Sequence, residues 1–92
     1  MQKFIAIIEK ADKNYSAYSP DVLGCVSTGN TIDETLQHFK EALEFHIDGL
    51  IEENMPLPSP VSLAEHLKRG NIYLEEDVII AYLQITPHKK VA

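Results

Sequence analysis

One long amphipathic segment near the middle of the chain constrains the fold more than any other feature. The letters TIDE form a capping box, in which the Thr31 hydroxyl accepts from the amide three residues later and the Glu34 side chain reaches back. Apolar residues then recur at steps of three and four, which indicates a helix with a single core-facing stripe, ending near Asn54 and Pro56. The stripe consists of Ile32, Leu36, Phe39, Leu43, Ile47, Leu50 and Ile51.

Short runs rich in β-branched and aromatic residues lie on both sides of this helix and predict four strands. The strands span residues 3–10, 15–19, 23–28 and 78–86, and Pro87 stops the last of them.

Glycines and a second capping box mark the connections. Gly24 falls inside the third strand and indicates a bulge or a close backbone approach, while Gly29 ends that strand. Residues 62–65 (SLAE) open a short helix that Gly70 closes. We expect the tail, residues 88–92, to be frayed.

The element order is therefore β-β-β-α-(α)-β, which predicts an α+β fold with an antiparallel-rich sheet and the main helix on one face. The first strand is apolar on both faces, because Ile5 and Ile7 point away from the face that carries Phe4 and Ile8. Since two helices can cover one face, we expect Ile5 and Ile7 to contact a protein partner or another copy of the chain.

The polar side of the main helix carries an aromatic residue. On a helical projection Phe45 falls opposite the core stripe, close to His38, Ala42 and Gly49. A large aromatic side chain on a solvent-facing surface indicates a contact site, so the candidates for partner or oligomer contact on this helix are Phe45, His38, Glu41 and Asp48. The sequence predicts a homo-oligomer (a dimer or tetramer), a protein partner, or both.

Composition narrows the classes of function. The 92 residues make one domain, residues 1–92, with a net charge of −6 and a pI near 5.0. This charge repels phosphate backbones and attracts basic proteins, so direct nucleic-acid binding is not expected. No signal peptide and no apolar run of membrane-spanning length is present in the sequence, which favours a cytoplasmic protein and no membrane partner.

Each residue that could take part in catalysis or metal binding also has a possible role in the fold alone. Cys25 is the single cysteine, and nothing near it in the sequence indicates a lowered pKa, so a buried strand residue is favoured over a nucleophile. Asp21 and Glu34 have local roles in a turn and a cap. The histidines at 38, 46, 66 and 88 lack the spacing of a helical metal site, and we expect neither metal, cofactor nor catalysis.

The acidic side of the main helix admits two interpretations. Its members are Glu41, Glu44, Asp48, Glu52 and Glu53. Charge alone leaves open whether they form a solvated helix face or a docking patch for a basic partner.

A set of short motifs resembles the HicB-like antitoxin family. The pattern runs from a tyrosine strand through Pro-Asp, Gly-Cys, Gly-x-Thr and an acidic cap to an amphipathic helix ending near His-x-x-Gly-Leu. In this chain the motif positions are Tyr18, Pro20, Asp21, Gly24, Cys25, Thr28, Gly29, Thr31, Asp33, Glu34 and His46 to Leu50. The resemblance is close over about residues 3–54 and looser beyond.

The resemblance implies a partial ribonuclease-H-like fold without catalytic acids. It also implies a partner, a small basic HicA-type toxin that cleaves mRNA, which the antitoxin occludes in a type II toxin–antitoxin system. Members of the family often carry a C-terminal DNA-binding module, but residues 1–92 contain no such pattern. We therefore expect no DNA-binding domain and no unaided repression of the chain's own operon.

Two other functions remain as alternatives at the level of sequence. One is a stand-alone homo-oligomeric interaction or ligand-binding module with the same fold and no toxin partner. The other is a hydrolase that uses Cys25 or Asp21.

Overall fold

A four-stranded antiparallel sheet forms the frame of the computed structural model, which describes residues 2–72, 75 and 77–86. The strands are β1 (Gln2–Lys10), β2 (Tyr15–Ser19), β3 (Val22–Gly29) and β4 (Val78–Ile85), in the spatial order β3-β2-β1-β4. The four predicted strands are confirmed, with boundaries that differ by a residue or so. Pro87 and the tail at 88–92 lie outside the described residues.

The main helix, α1 (Ile32–Glu52), begins at the predicted cap. Thr31 Oγ1 accepts a hydrogen bond from the Glu34 amide at 3.0 Å. The Glu34 carboxylate reaches the Asn30 amide at 3.4 Å, one residue earlier than an ideal capping box requires. At the other end Asn54 adopts a φ of 55°, which confirms the left-handed position predicted there.

One face of the sheet packs against α1 and forms the larger hydrophobic core. Phe4 and Ile8 of β1 are buried against the helix residues Phe39, Leu43 and Ile47. Each fully buried side chain of this size stabilises the fold by about 1.5–3 kcal/mol relative to exposure. The predicted core stripe of α1 is therefore confirmed for all its members except Leu50, which is half-buried and lies outside this core.

The opposite face of the sheet is also covered, which corrects the prediction made for it. The short helix α2 (Leu63–Arg69) and the residue Ile72 pack there, and Ile5 and Ile7 are 0% exposed beneath Ile72 and Leu63. The predicted partner contact through Ile5 and Ile7 is wrong for the surface of this chain, because its own second helix and the segment after it bury both side chains.

A bulge interrupts the pairing of β2 with β3. Ser19 pairs with Val22, whereas Tyr18 pairs with Val26, so the strand β3 carries extra residues at this point. Gly24 lies in the bulge with a φ of 85°, a left-handed value that favours glycine. The predicted bulge is confirmed. Next to the bulge, the side chain of Leu23 projects into solvent and is 86% exposed.

Candidate functional site

The outer face of α1 is an acidic surface. We define it by His38, Glu41, Phe45, Asp48 and Glu52, which recur at helical spacing outside the buried core stripe. Phe45 is 82% exposed among them. The 21 residues of α1 include six acidic residues and one lysine, for a net charge of −5, so this helix carries most of the charge of −6 on the whole chain.

Glu44 does not belong to this exposed face, although the sequence predicts that it lies on the acidic side of the helix. It is buried at the flank of the helix, where its carboxylate forms an ion pair with Lys40 Nζ at 3.0 Å. Glu41 remains exposed, and its carboxylate accepts a hydrogen bond from Gln37 Nε2 at 2.9 Å. The outer face therefore presents Glu41 as an ordered acceptor one turn before Phe45.

His38 connects the outer face to the sheet. Its Nδ1 lies 2.7 Å from the Thr28 carbonyl oxygen. Because a carbonyl oxygen can only accept, Nδ1 carries the proton and donates. The imidazole is thus fixed in orientation while the residue stays exposed.

An apolar groove lies between the second half of α1 and the edge strand β3. We name it the β3–α1 groove and define it by Gly24, Cys25 and Val26 from the strand and Ala42, Phe45 and Gly49 from the helix. Neither Gly24 nor Gly49 has another atom within 4 Å of the position that a Cβ would occupy. The groove is therefore open, and small residues on both walls give it room for an apolar group.

Cys25 lines this groove but is itself buried. Burial raises the pKa of its thiol above the ordinary value of 9.0. A thiol held in the protonated form is a poor nucleophile, so the environment of Cys25 favours a packing role.

A buried polar cluster joins the β2–β3 turn to α2, and sequence analysis missed it. Asp21 Oδ1 accepts from His66 Nε2 at 2.7 Å and from the Val61 amide at 3.1 Å. The two side chains are 2% and 3% exposed. The sequence gives two hints, a histidine on the short helix and the Pro-Asp turn, but the 45-residue separation hides their contact.

Three other motif residues, Tyr18, Pro20 and Gly29, contribute to the packing of the fold. Tyr18 packs on the face of the sheet that α2 covers, and Pro20 is half-buried beside Asp21 in the turn. A Cβ on Gly29 would lie 2.7 Å from the Thr35 amide nitrogen, so the first turn of α1 packs directly on the backbone of β3. Five of the motif residues lie in the same groove as Phe45, namely Gly24, Cys25, His46, Gly49 and Leu50, whereas Asp21 lies with His66.

Within residues 2–72, 75 and 77–86, no group of three histidine, cysteine, aspartate or glutamate side chains could hold a metal ion. His88 lies outside that part of the chain. No helix in the same part is both long and apolar enough to cross a membrane.

A sequence model described as the HicB-like antitoxin of bacterial toxin–antitoxin systems matches residues 4–91. The chain belongs to the HicB-like antitoxin family. The match includes every element described above except the first residues of β1.

Solved structures agree with this assignment. The HicB-like chain is similar to the crystal structure of the antitoxin HicB3, with a TM-score of 0.77 and 30% identity, over 99% of this chain and 67% of that one. It is also similar to a chain of a HicA3 and HicB3 toxin–antitoxin complex, with a TM-score of 0.72 and 30% identity, over 94% of this chain and 100% of that one. The predicted mixed α+β fold is thus confirmed.

A curated relative comes from Haemophilus phage HP1, an uncharacterized 14.9 kDa protein of its rep-hol intergenic region. It is 37% identical to the HicB-like chain over 62 residues, which are 67% of this chain and 47% of the phage protein. The chain therefore matches about half the length of that relative.

Proposed function

We propose that this chain is an antitoxin that binds a small basic HicA-type toxin and occludes the surface through which the toxin cleaves mRNA. Membership of the HicB-like antitoxin family supports the role, and a solved HicA3–HicB3 complex supports the class of partner. The antitoxin acts in the cytoplasm, where the mRNA substrate of such a toxin is translated.

The observation that carries the proposal is an exposed aromatic residue within an acidic helical face. Phe45 is 82% exposed, and Glu41 and Asp48 lie about one turn to either side of it on α1. Acidic residues around an interface raise the rate of association with a basic protein. An aromatic side chain that becomes buried in the contact supplies the kind of anchor on which interface affinity usually depends.

Occlusion requires no reacting group on the antitoxin. The environments of the two candidate reactive groups support this, because Cys25 is buried with a raised thiol pKa and the Asp21 carboxylate is hydrogen-bonded to His66. Inhibition then follows from steric cover of the toxin, in proportion to the fraction of toxin bound.

The test begins with the gene next to that of this chain, which we expect to encode a small basic protein. That protein is co-expressed with the chain and assayed for RNA cleavage with and without the antitoxin. We expect a stable complex in which cleavage is lost. Glu41→Lys and Asp48→Lys should each weaken binding by about three- to tenfold at low salt. Asp12→Lys, at an exposed turn between β1 and β2, changes the net charge equally and serves as the matched control.

Three results would contradict the proposal. The first is the absence of a complex, and the second is a complex in which the toxin still cleaves RNA. The third is an equal loss of affinity for Asp12→Lys and Glu41→Lys, which would show that net charge matters and that the outer face of α1 does not.

A further inference from the structure

We propose that α2 and the residues beside it form a lid on the second face of the sheet, and that this lid opens as one unit while α1 and the four strands stay folded. We define the lid as residues 61–72, which contain α2 and end at Ile72. The proposal concerns a conformational change within the chain, and it does not depend on the toxin partner.

The lid is attached to the sheet through few buried side chains. Among residues 61–72, His66 and Ile72 are buried, while Leu63 is half-buried and Leu67 is 43% exposed. α2 therefore packs on the sheet much more lightly than α1 does. A segment that buries little apolar surface opens at a lower free energy than the core of its protein.

The contact between Asp21 and His66 is the latch of this lid. Asp21 Oδ1 accepts from His66 Nε2 and from the Val61 amide, so both hydrogen bonds run from the turn of the sheet to the lid. The other oxygen of the same carboxylate, Oδ2, is buried and has no hydrogen-bond partner among the residues that the structure describes. A buried oxygen without a partner costs free energy, and this cost is removed when the lid opens and water reaches the carboxylate. The latch therefore holds the lid less tightly than its two hydrogen bonds would alone.

The lid is also joined within itself, by contacts that opening does not break. Ser62 Oγ accepts from the Glu65 amide at 3.1 Å where α2 begins, and Gly70 ends the helix with a φ of 74°. Asn71 then bonds back to His66, through its amide to the carbonyl oxygen at 3.0 Å and through Nδ2 to the ring Nδ1 at 3.1 Å. Because these contacts lie inside the lid, whereas the two bonds to Asp21 break together, the lid opens as one cooperative unit.

The connector between α1 and the lid leaves the lid free to move. Residues 53–60 lie in no helix or strand, and each of them is exposed or half-buried. Asn54, with a φ of 55°, turns the chain out of α1. Pro56, Pro58 and Pro60 have no amide hydrogen, so these positions cannot donate a bond that ties the connector to the sheet.

Opening of the lid uncovers an apolar face of the sheet. Ile5 and Ile7 are 0% exposed beneath it, and Tyr18 and Ile80 pack around them. The larger core, between the sheet and α1, lies on the opposite face and stays intact. The lid thus switches the chain between a form with both sheet faces covered and a form that presents apolar surface, while the outer face of α1 is the same in both.

The experiment compares two neighbouring positions of β1 whose side chains point to opposite faces of the sheet. Ile7→Cys places a thiol under the lid and Ile8→Cys places one under α1, and both positions are 0% exposed. Each substitution is made in a chain that carries Cys25→Ala, and mass spectrometry follows modification by N-ethylmaleimide. We expect the thiol at position 7 to react at least about tenfold faster than the thiol at position 8. Low concentrations of urea should raise the rate at position 8 more than at position 7, because opening of the lid exposes less surface than unfolding does.

His66→Ala tests the latch. It should raise the rate at position 7 by about ten- to hundredfold. Arg69→Ala is the matched control, because Arg69 forms an exposed ion pair with Glu65 inside the lid, and it should change the rate by only about twofold.

Hydrogen exchange of the wild-type chain provides a second measurement that needs no cysteine variant. The Val61 amide, which donates to Asp21, should be less protected than the amides that pair β1 with β2. Protection of Val61 as strong as that of those amides would overturn the proposal. Equal rates of modification at positions 7 and 8 would also overturn it, because the lid would then open only when the whole chain unfolds. An unchanged rate at position 7 in His66→Ala would show that the Asp21–His66 contact is not the latch.

Discussion

The Asp21 carboxylate in the β2–β3 turn accepts a hydrogen bond at 2.7 Å from His66 Nε2 on α2. The other ring nitrogen of His66 lies 3.1 Å from Asn71 Nδ2, which is a donor, so Nδ1 accepts and Nε2 carries the proton. Asp21 also accepts from the Val61 amide just before α2 begins. These contacts attach the short helix to the turn of the sheet across 45 residues of sequence.

Breaking this pair should destabilise the fold. We expect His66→Ala to lower the free energy of unfolding by about 1–3 kcal/mol, because it leaves the buried Asp21 carboxylate without its main donor. The measurement is urea unfolding at neutral pH. Arg69→Ala is the control, since Arg69 and Glu65 form an exposed ion pair at 3.8 Å that should contribute less than about 1 kcal/mol. Equal effects of the two variants would contradict the role assigned to the buried pair.

The parts of the fold that sequence could predict are those that local chemistry determines. The start of α1 depends on Thr31 and Glu34, three residues apart, and the bulge depends on the glycine at position 24. The exposure of Phe45 also follows from helical spacing alone, because a residue opposite a buried stripe faces away from the core.

The covering of the second sheet face could not be predicted in the same way. Its determinants lie far apart in sequence, with Ile5 and Ile7 on β1 and Leu63 and Ile72 near α2. The short helix carries only two large apolar residues, Leu63 and Leu67, so its periodicity does not indicate which face it covers. Its position depends instead on the Asp21–His66 contact, which no local pattern reveals.

Substitutions at glycine should separate three physical effects. Gly29→Ala places a Cβ 2.7 Å from the Thr35 amide nitrogen, and because the obstacle is backbone, we expect a loss of about 2 kcal/mol or more. Gly24→Ala meets no neighbour but retains a φ of 85°, which should cost about 1–2 kcal/mol. Thermal and urea unfolding of both variants measure these losses.

Gly49→Ala is the control for this series. Gly49 lies inside α1 with open space around it, so alanine should stabilise the helix by about 0.5–1 kcal/mol. Gly29→Ala should thus lower the free energy of unfolding through a steric clash and Gly24→Ala through backbone strain, whereas Gly49→Ala should raise it. A Gly29→Ala variant as stable as the wild type would show that α1 and β3 separate at little cost.

Stability should fall at alkaline pH through two buried or half-buried groups. Burial raises the thiol pKa of Cys25 above 9.0, and burial followed by the nearby Glu9 and Glu75 raises the Tyr18 pKa above 10.0. Each group with a raised pKa in the folded state stabilises the protein fully below its unfolded pKa, and that contribution is lost as the pH rises through the folded pKa. We expect the free energy of unfolding to decline above about pH 9.

Cys25→Ala and Tyr18→Phe remove the titrating groups and test the source of this decline. Urea unfolding between pH 7 and pH 11 should show a smaller decline for each variant than for the wild type. A decline that is unchanged in the double variant would assign it to other groups. Because alanine also leaves a small cavity at position 25, the slope of stability against pH is the informative quantity, and the absolute stability is not.

Salt should weaken the proposed toxin contact. This contact depends on attraction between an acidic helix with a net charge of −5 and a basic partner, so its association rate should fall as salt is raised. Stopped-flow association with the toxin between low and about 0.5 M salt measures the response. Glu41→Lys should reduce this dependence on salt more than the control Asp12→Lys does, because Glu41 lies beside Phe45 on α1. An association rate that does not change over this range of salt would show that the acidic face of α1 does not attract the toxin.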